Sequence, residues 1–213
     1  MHILSPMSAP WCGWTMLVLM LMAVASEWLQ PGSITQAYTS VKVHQERTYK
    51  DAPTNIMAQT MLTLFRIGTI GMAICLCLPF EGNFSFLAFM AICTLVFVVL
   101  LVKMISNVLI DYTFSITRRF GEVYEHYSNL LTLVTVVLYP ILLLFMRIDS
   151  ISVARWLLLT FAGVFLVLWL LRCVQQYIRT FRAFLYVLVY ILTLEILPMA
   201  SLIVISEKTI SLI

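Results

Sequence analysis

The sequence predicts an all-α fold: a polytopic membrane protein built as a six-helix transmembrane bundle, with an amphipathic helix on the cytoplasmic interface. Three observations predict it. Apolar residues make up 62% of the 213-residue chain and charged residues 11%, against about 45–50% and about 25% in a soluble domain. The apolar residues gather into six runs, at about 11–29, 60–80, 84–103, 128–146, 154–172 and 184–205, each close to the ~20 residues a helix needs to cross the hydrocarbon layer. Finally, ten of the 13 Lys and Arg residues fall in or beside alternate connecting segments.

The runs are continuous and lack the alternation of a transmembrane strand. Backbone groups in lipid must be satisfied within their own segment, which leaves helices. The whole of 1–213 reads as one integral membrane domain.

The first run carries Trp11 and Trp14 at one end and Trp28 at the other, the placement of interfacial aromatic anchors. A cleavable signal peptide is the competing reading: Thr15 to Met22 would be its apolar core and Ala23-Val24-Ala25 its small-residue site. The absence of Lys or Arg before Trp11 weighs against it. Residues 30–58 are polar, with Pro31-Gly32 closing the first span and Pro53 before the second. This stretch has room for a short surface helix at most.

Lys42, Arg47, Lys50 and Arg66 belong to the first connection and the mouth of the second span. Lys103, Arg118 and Arg119 belong to the third connection, and Arg172, Arg179 and Arg182 to the fifth. Only Arg147, Arg155 and Lys208 lie on the other side. Odd-numbered connections are therefore cytoplasmic and both termini face outward.

Between the third and fourth spans, Ile105, Val108, Leu109, Tyr112, Ile116 and Phe120 recur at helical spacing. That pattern gives an amphipathic cytoplasmic helix or a prolongation of the third span, broken near Gly121.

Glu195 is the sharpest candidate for chemistry. It lies about twelve residues, or about 18 Å, from the basic fifth connection, near mid-membrane. A charge there costs about 2.5–3.5 kcal/mol, so Glu195 needs a partner, water or a bound proton. Pro198 removes the helical bond to the Leu194 carbonyl and leaves an acceptor beside the carboxyl. Arg66 is the basic residue well inside a run, toward its cytoplasmic end, where snorkelling carries it to lipid phosphate more readily than to Glu195. Together Glu195, Pro198 and Arg66 form a candidate intramembrane polar site. Its functional reading is proton exchange or ion binding; the reading preferred here is a neutral acid bridging two helices.

A second constellation follows the fourth span. Glu125, Ser128, Thr132, Thr135 and Tyr139 form a narrow stripe along one helical face. It is either a polar path from the cytoplasm or a helix-packing face, and packing is preferred because Ser and Thr are common at close helix contacts. Gly68, Gly71 and Cys75 in the second span also read as a packing face.

No cofactor or metal site is expected. His2, His44 and His126 lie outside the spans, which excludes paired-histidine haem ligation. Glu122 with His126 supplies two ligands, too few for a metal site. The five cysteines contain no CxxC pair, no nucleophile elbow is present, and the dispersed cations do not make a nucleic-acid stripe.

The stretch 184–198, with Tyr190 and Leu194-Glu195-Ile196-Leu197-Pro198, resembles a family of Gram-negative multi-pass membrane proteins of unknown function, found mainly in Bacteroidetes. Gly121, the span ending at Tyr139-Pro140 and the two spans after it are similar in order, and the resemblance covers roughly 60–205. It implies an inner-membrane location and supplies no activity. The expected role is non-enzymatic: association with a membrane-protein partner or a second copy, within the lipid bilayer, in envelope assembly or biogenesis. The alternative is a small transporter or proton-coupled subunit centred on Glu195.

Overall fold

Polar residues at the ends of the apolar runs decide where the helices begin. Asn55 Oδ1 accepts the Met57 N–H at 3.1 Å, and Ser85 Oγ accepts the Ala88 N–H at 3.3 Å. Each satisfies a backbone donor that a helix start leaves open. The computed structural model describes residues 10–42, 55–77, 85–114, 119–145, 156–165 and 167. Its helices are α1 (Pro10–Leu29), α2 (Ser33–Lys42), α3 (Ile56–Cys77), α4 (Phe86–Phe114) and α5 (Arg119–Phe145), followed by a short apolar α6 (Trp156–Phe165). Among the described residues there is no strand. The run at 184–205, with Glu195 and Pro198, lies outside them.

Four helices are long and apolar enough to cross a bilayer, over Trp11–Leu29, Ile56–Leu76, Phe86–Ile105 and Tyr127–Phe145. Two boundaries differ from the sequence reading. Helix α3 starts at Ile56 rather than near residue 60, because the Asn55 cap lets the exposed Met57, Gln59 and Thr60 wind on as helix. This moves Arg66 from the cytoplasmic third of its span to the middle of α3. Of the two readings for residues 104–127, the prolongation holds for the first part: α4 runs on to Phe114. Gly121 itself lies inside α5, while residues 115–118 just before it lie outside the described residues. A glycine costs a helix only about 1 kcal/mol, and α5 continues through it.

The corner between α1 and α2 is built around Glu27. Its Oε1 accepts the Gly32 N–H at 2.7 Å; its Oε2 accepts the Ser33 hydroxyl at 2.8 Å and the Ile34 N–H at 3.1 Å. A carboxylate at the start of α2 satisfies open donors and complements the helix dipole. Gly32 turns the chain there at φ 88°, a conformation that favours glycine.

Helix α3 is the centre of the bundle, packing on α1, α4 and α5, while α2 lies against α5. Asn55 Nδ2 donates to the Leu29 carbonyl at 3.4 Å, and Leu19 packs on Gly68. As the residue number falls along α1 it rises along α3, so the two are antiparallel. At the far end Trp11 meets Phe86 and Phe89, with ring centroids 5.6 and 5.7 Å away. Thus α1 and α4 begin together.

Phe65, Met72, Met16, Ile92 and Leu142 fill the interior. Outside, α1 presents Trp14, Leu17, Leu21, Val24 and Trp28. A helix apolar on both its buried and its exposed faces is matched to lipid rather than to water.

Candidate functional site

Arg66 on α3 enters the bundle beside Phe65 and Thr69, which are both buried. Its Nη1 donates to Ser128 Oγ on α5 at 2.9 Å, and its Nε is buried. One residue earlier on α5, the Tyr127 ring receives a second cation: Lys103 Nζ of α4 lies 3.3 Å from the ring centroid. Lys103 is only 6% exposed. Two cations from different helices therefore converge on consecutive residues of a third. Aromatic and hydroxyl groups suit that role, one through the ring quadrupole and one through an oxygen lone pair.

The rest of the stripe climbs α5 from there. Thr132 and Thr135 are fully buried. The Thr132 hydroxyl donates to the Ser128 carbonyl at 2.8 Å, and that of Thr135 to the Leu131 and Thr132 carbonyls, each at 2.9 Å. Thr69 across the interface does the same to the Phe65 carbonyl at 2.8 Å. Returning the proton to its own helix lets a hydroxyl sit in an apolar interior without an orphan donor.

Tyr139 departs from this pattern. Its hydroxyl donates to the Met16 carbonyl of α1 at 2.9 Å, and its ring lies 5.7 Å from that of Phe65. Pro140 follows it inside the helix. Tyr139 thus links α5 to α1 at a point where α5 itself lacks one backbone donor.

Of the sequence-predicted residues, Arg66, Ser128, Thr132, Thr135 and Tyr139 meet in one seam between α3 and α5. The two separate constellations of the sequence reading share Arg66–Ser128. Glu125 belongs to α5, with its side chain outside the described set, as are Glu195 and Pro198. Lys103, Tyr127, Thr69 and Glu27 carry polar contacts that sequence reading did not single out. Thr69 stands one turn from Arg66, which is the available signal; Lys103 reads as a loop charge because it closes an apolar run.

Chemically, the seam offers two cations, a phenol ring and several hydroxyls. That set bridges helices. Among the described residues, no group of three His, Cys, Asp or Glu is placed to hold a metal ion.

These features define an all-helical protein with four helices suited to a bilayer and a polar seam inside the bundle. The chain belongs to the family described as Domain of unknown function (DUF4271), which matches residues 13–205. Comparison with curated proteins and with solved structures found no match in either.

Proposed function

We propose that this is a non-enzymatic protein of a bacterial inner membrane, crossing it six times with both termini periplasmic, and that it acts through protein association in envelope assembly or biogenesis. The observation carrying this reading is how the seam uses its polar groups. The hydroxyls of Thr69, Thr132 and Thr135 donate to carbonyls of their own helices, the Tyr139 hydroxyl donates to the Met16 carbonyl of α1 and Ser128 accepts from Arg66 of α3, so the polar groups serve packing within and between helices. The described helices also leave little polar mass outside the apolar windows, which suits a membrane-embedded partner or a second copy. The distribution of cations sets the orientation, and the resemblance of the closing segment to Bacteroidetes proteins supports the inner membrane.

Extraction in a mild detergent followed by native mass measurement tests the association. A stoichiometric membrane-protein partner or a homo-oligomer is expected. A monomer across detergents and concentrations would defeat the reading.

A second reading is favoured by one observation, the entry of Arg66 into the bundle interior at the middle of α3. It is a small transporter or proton-coupled subunit, with Glu195 as the titrating group. Gln keeps the shape and hydrogen-bonding capacity of Glu195 but does not titrate. A folded Glu195→Gln protein that fails to complement a deletion supports this reading; full complementation removes it.

A further inference from the structure

We propose that α5 is a jointed helix: its end segment, Pro140–Phe145, swings at Pro140, and the Tyr139 hydroxyl on the Met16 carbonyl of α1 is the catch that holds it closed. The joint follows from the chain. Pro140 lies inside α5, has no N–H to give to the Val136 carbonyl, and crowds that oxygen with its ring. Helical bonding therefore does not carry α5 rigidly across this point, and sharp bends in helices concentrate at such residues. Tyr139 stands at the joint itself. Its ring lies against that of Phe65 on α3, with centroids 5.7 Å apart, and its hydroxyl crosses to α1 at 2.9 Å. The Met16 carbonyl has two lone pairs, so the catch opens and closes without cost to the bonding of α1.

The bilayer gives this one bond its weight. Beyond the joint, Leu142 and Phe145 are buried in the core, while Pro140, Leu143 and Leu144 are exposed. In water the hydrophobic effect would oppose turning Leu142 and Phe145 outward. Lipid tails are as apolar as leucine, so in a membrane that opposition is lost, and packing and interhelical hydrogen bonds remain to hold the segment. Helix α1 packs on α3, and Tyr139 supplies a polar bond that joins it to α5. Interhelical polar contacts in membranes shift an equilibrium between closed and open arrangements by about three- to eighteenfold. Opening widens the seam between α1 and α5 as far as Phe65.

Segment-resolved amide exchange of the full chain in mild detergent tests the catch and the joint separately. Tyr139→Phe removes the hydroxyl and keeps the ring on Phe65. It should speed exchange over Ile141–Phe145 by about three- to eighteenfold and leave Leu130–Val136 unchanged. Pro140→Ala restores a donor for the Val136 carbonyl. Added to Tyr139→Phe, it should bring exchange over Ile141–Phe145 back to the level of the unaltered protein. Unchanged exchange over Ile141–Phe145 in Tyr139→Phe would overturn the catch. Equal acceleration over both segments would also overturn it, because the whole helix would then have loosened. Failure of Pro140→Ala to slow exchange in the double variant would overturn the joint.

Discussion

Arg66 and Ser128, 62 positions apart in the chain, are joined by a 2.9 Å bond from the guanidinium Nη1 to the hydroxyl Oγ. The bond crosses from the central helix α3 to α5 at the foot of a column of buried threonines. It brings the strongest charge in α3 to the helix that carries the longest polar stripe. The serine oxygen gives the guanidinium a neutral acceptor on the neighbouring helix.

The Arg66–Ser128 bond should be measurable as a coupling. Ser128→Ala and Arg66→Gln, alone and together, form a double-mutant cycle. Hydrogen bonds to charged groups contribute about 1.5–3 kcal/mol in soluble proteins, while interhelical polar contacts in membranes reach about 1.7 kcal/mol at most. A coupling of about 1–1.7 kcal/mol is expected from reversible unfolding in mixed micelles. A coupling near zero would show that the two side chains contribute independently.

Two glycines should respond oppositely to the same change. A Cβ on Gly68 would lie 2.4 Å from Leu19 Cδ2, whereas one on Gly13 would meet nothing within 4 Å. Gly68→Val should therefore destabilise by about 1–3 kcal/mol through overpacking against the buried Leu19. Gly13→Val should be neutral or slightly stabilising, since glycine is the poorer helix former. Midpoints of thermal unfolding compare them. Equal losses at both would remove the close approach of α1 and α3 as the cause.

The apolar runs made the helical class legible because lipid imposes length and continuity together. The polar pairings were less legible. Ser128 and Tyr139 could be placed on one face of α5 by spacing, but spacing along one helix does not say which helix it meets. Spacing thus leaves Arg66 between Glu195 and lipid, and Ser128 becomes its partner only through the packing of α3 on α5. Gly68 and Gly71 read as one face, yet Gly68 admits Leu19 of α1 and Gly71 admits Cys93 of α4, because a central helix packs on several neighbours. Glu27 is not legible in the sequence because its partners lie in the polar turn and the first residues of α2, where hydrophobic periodicity is silent.

Glu27 should govern α2. Three groups from Gly32 to Ile34 depend on its carboxylate, and loss of a cap costs about 0.5–2 kcal/mol. Glu27→Ala should raise amide exchange across Ser33–Lys42 by about tenfold, the factor for 1.4 kcal/mol, while leaving α3 protected. Glu27→Gln keeps an acceptor oxygen and should show a smaller effect. Unchanged exchange in the Ala variant would show that packing of α2 on α5 suffices.

The orientation is the last expectation. Trp11 against Phe86 and Phe89 puts the starts of α1 and α4 at one end of the bundle. Asn55 against the Leu29 carbonyl puts the end of α1 and the start of α3 at the other. Lys103 of α4 over the Tyr127 ring of α5 sets the later half of α4 beside the first turns of α5. Lys42, at the close of α2, and Arg119, at the opening of α5, belong to the end shared by the finish of α1 and the start of α3. Cations are retained on the cytoplasmic side, so that end is expected to face the cytoplasm. A reporter active only in the cytoplasm should give signal when fused near Arg118 and none when fused after Ile213. A reporter active only in the periplasm should give the reverse. Exchange of the two patterns would overturn the orientation. Cytoplasmic signal at both sites would instead require an even number of crossings between them.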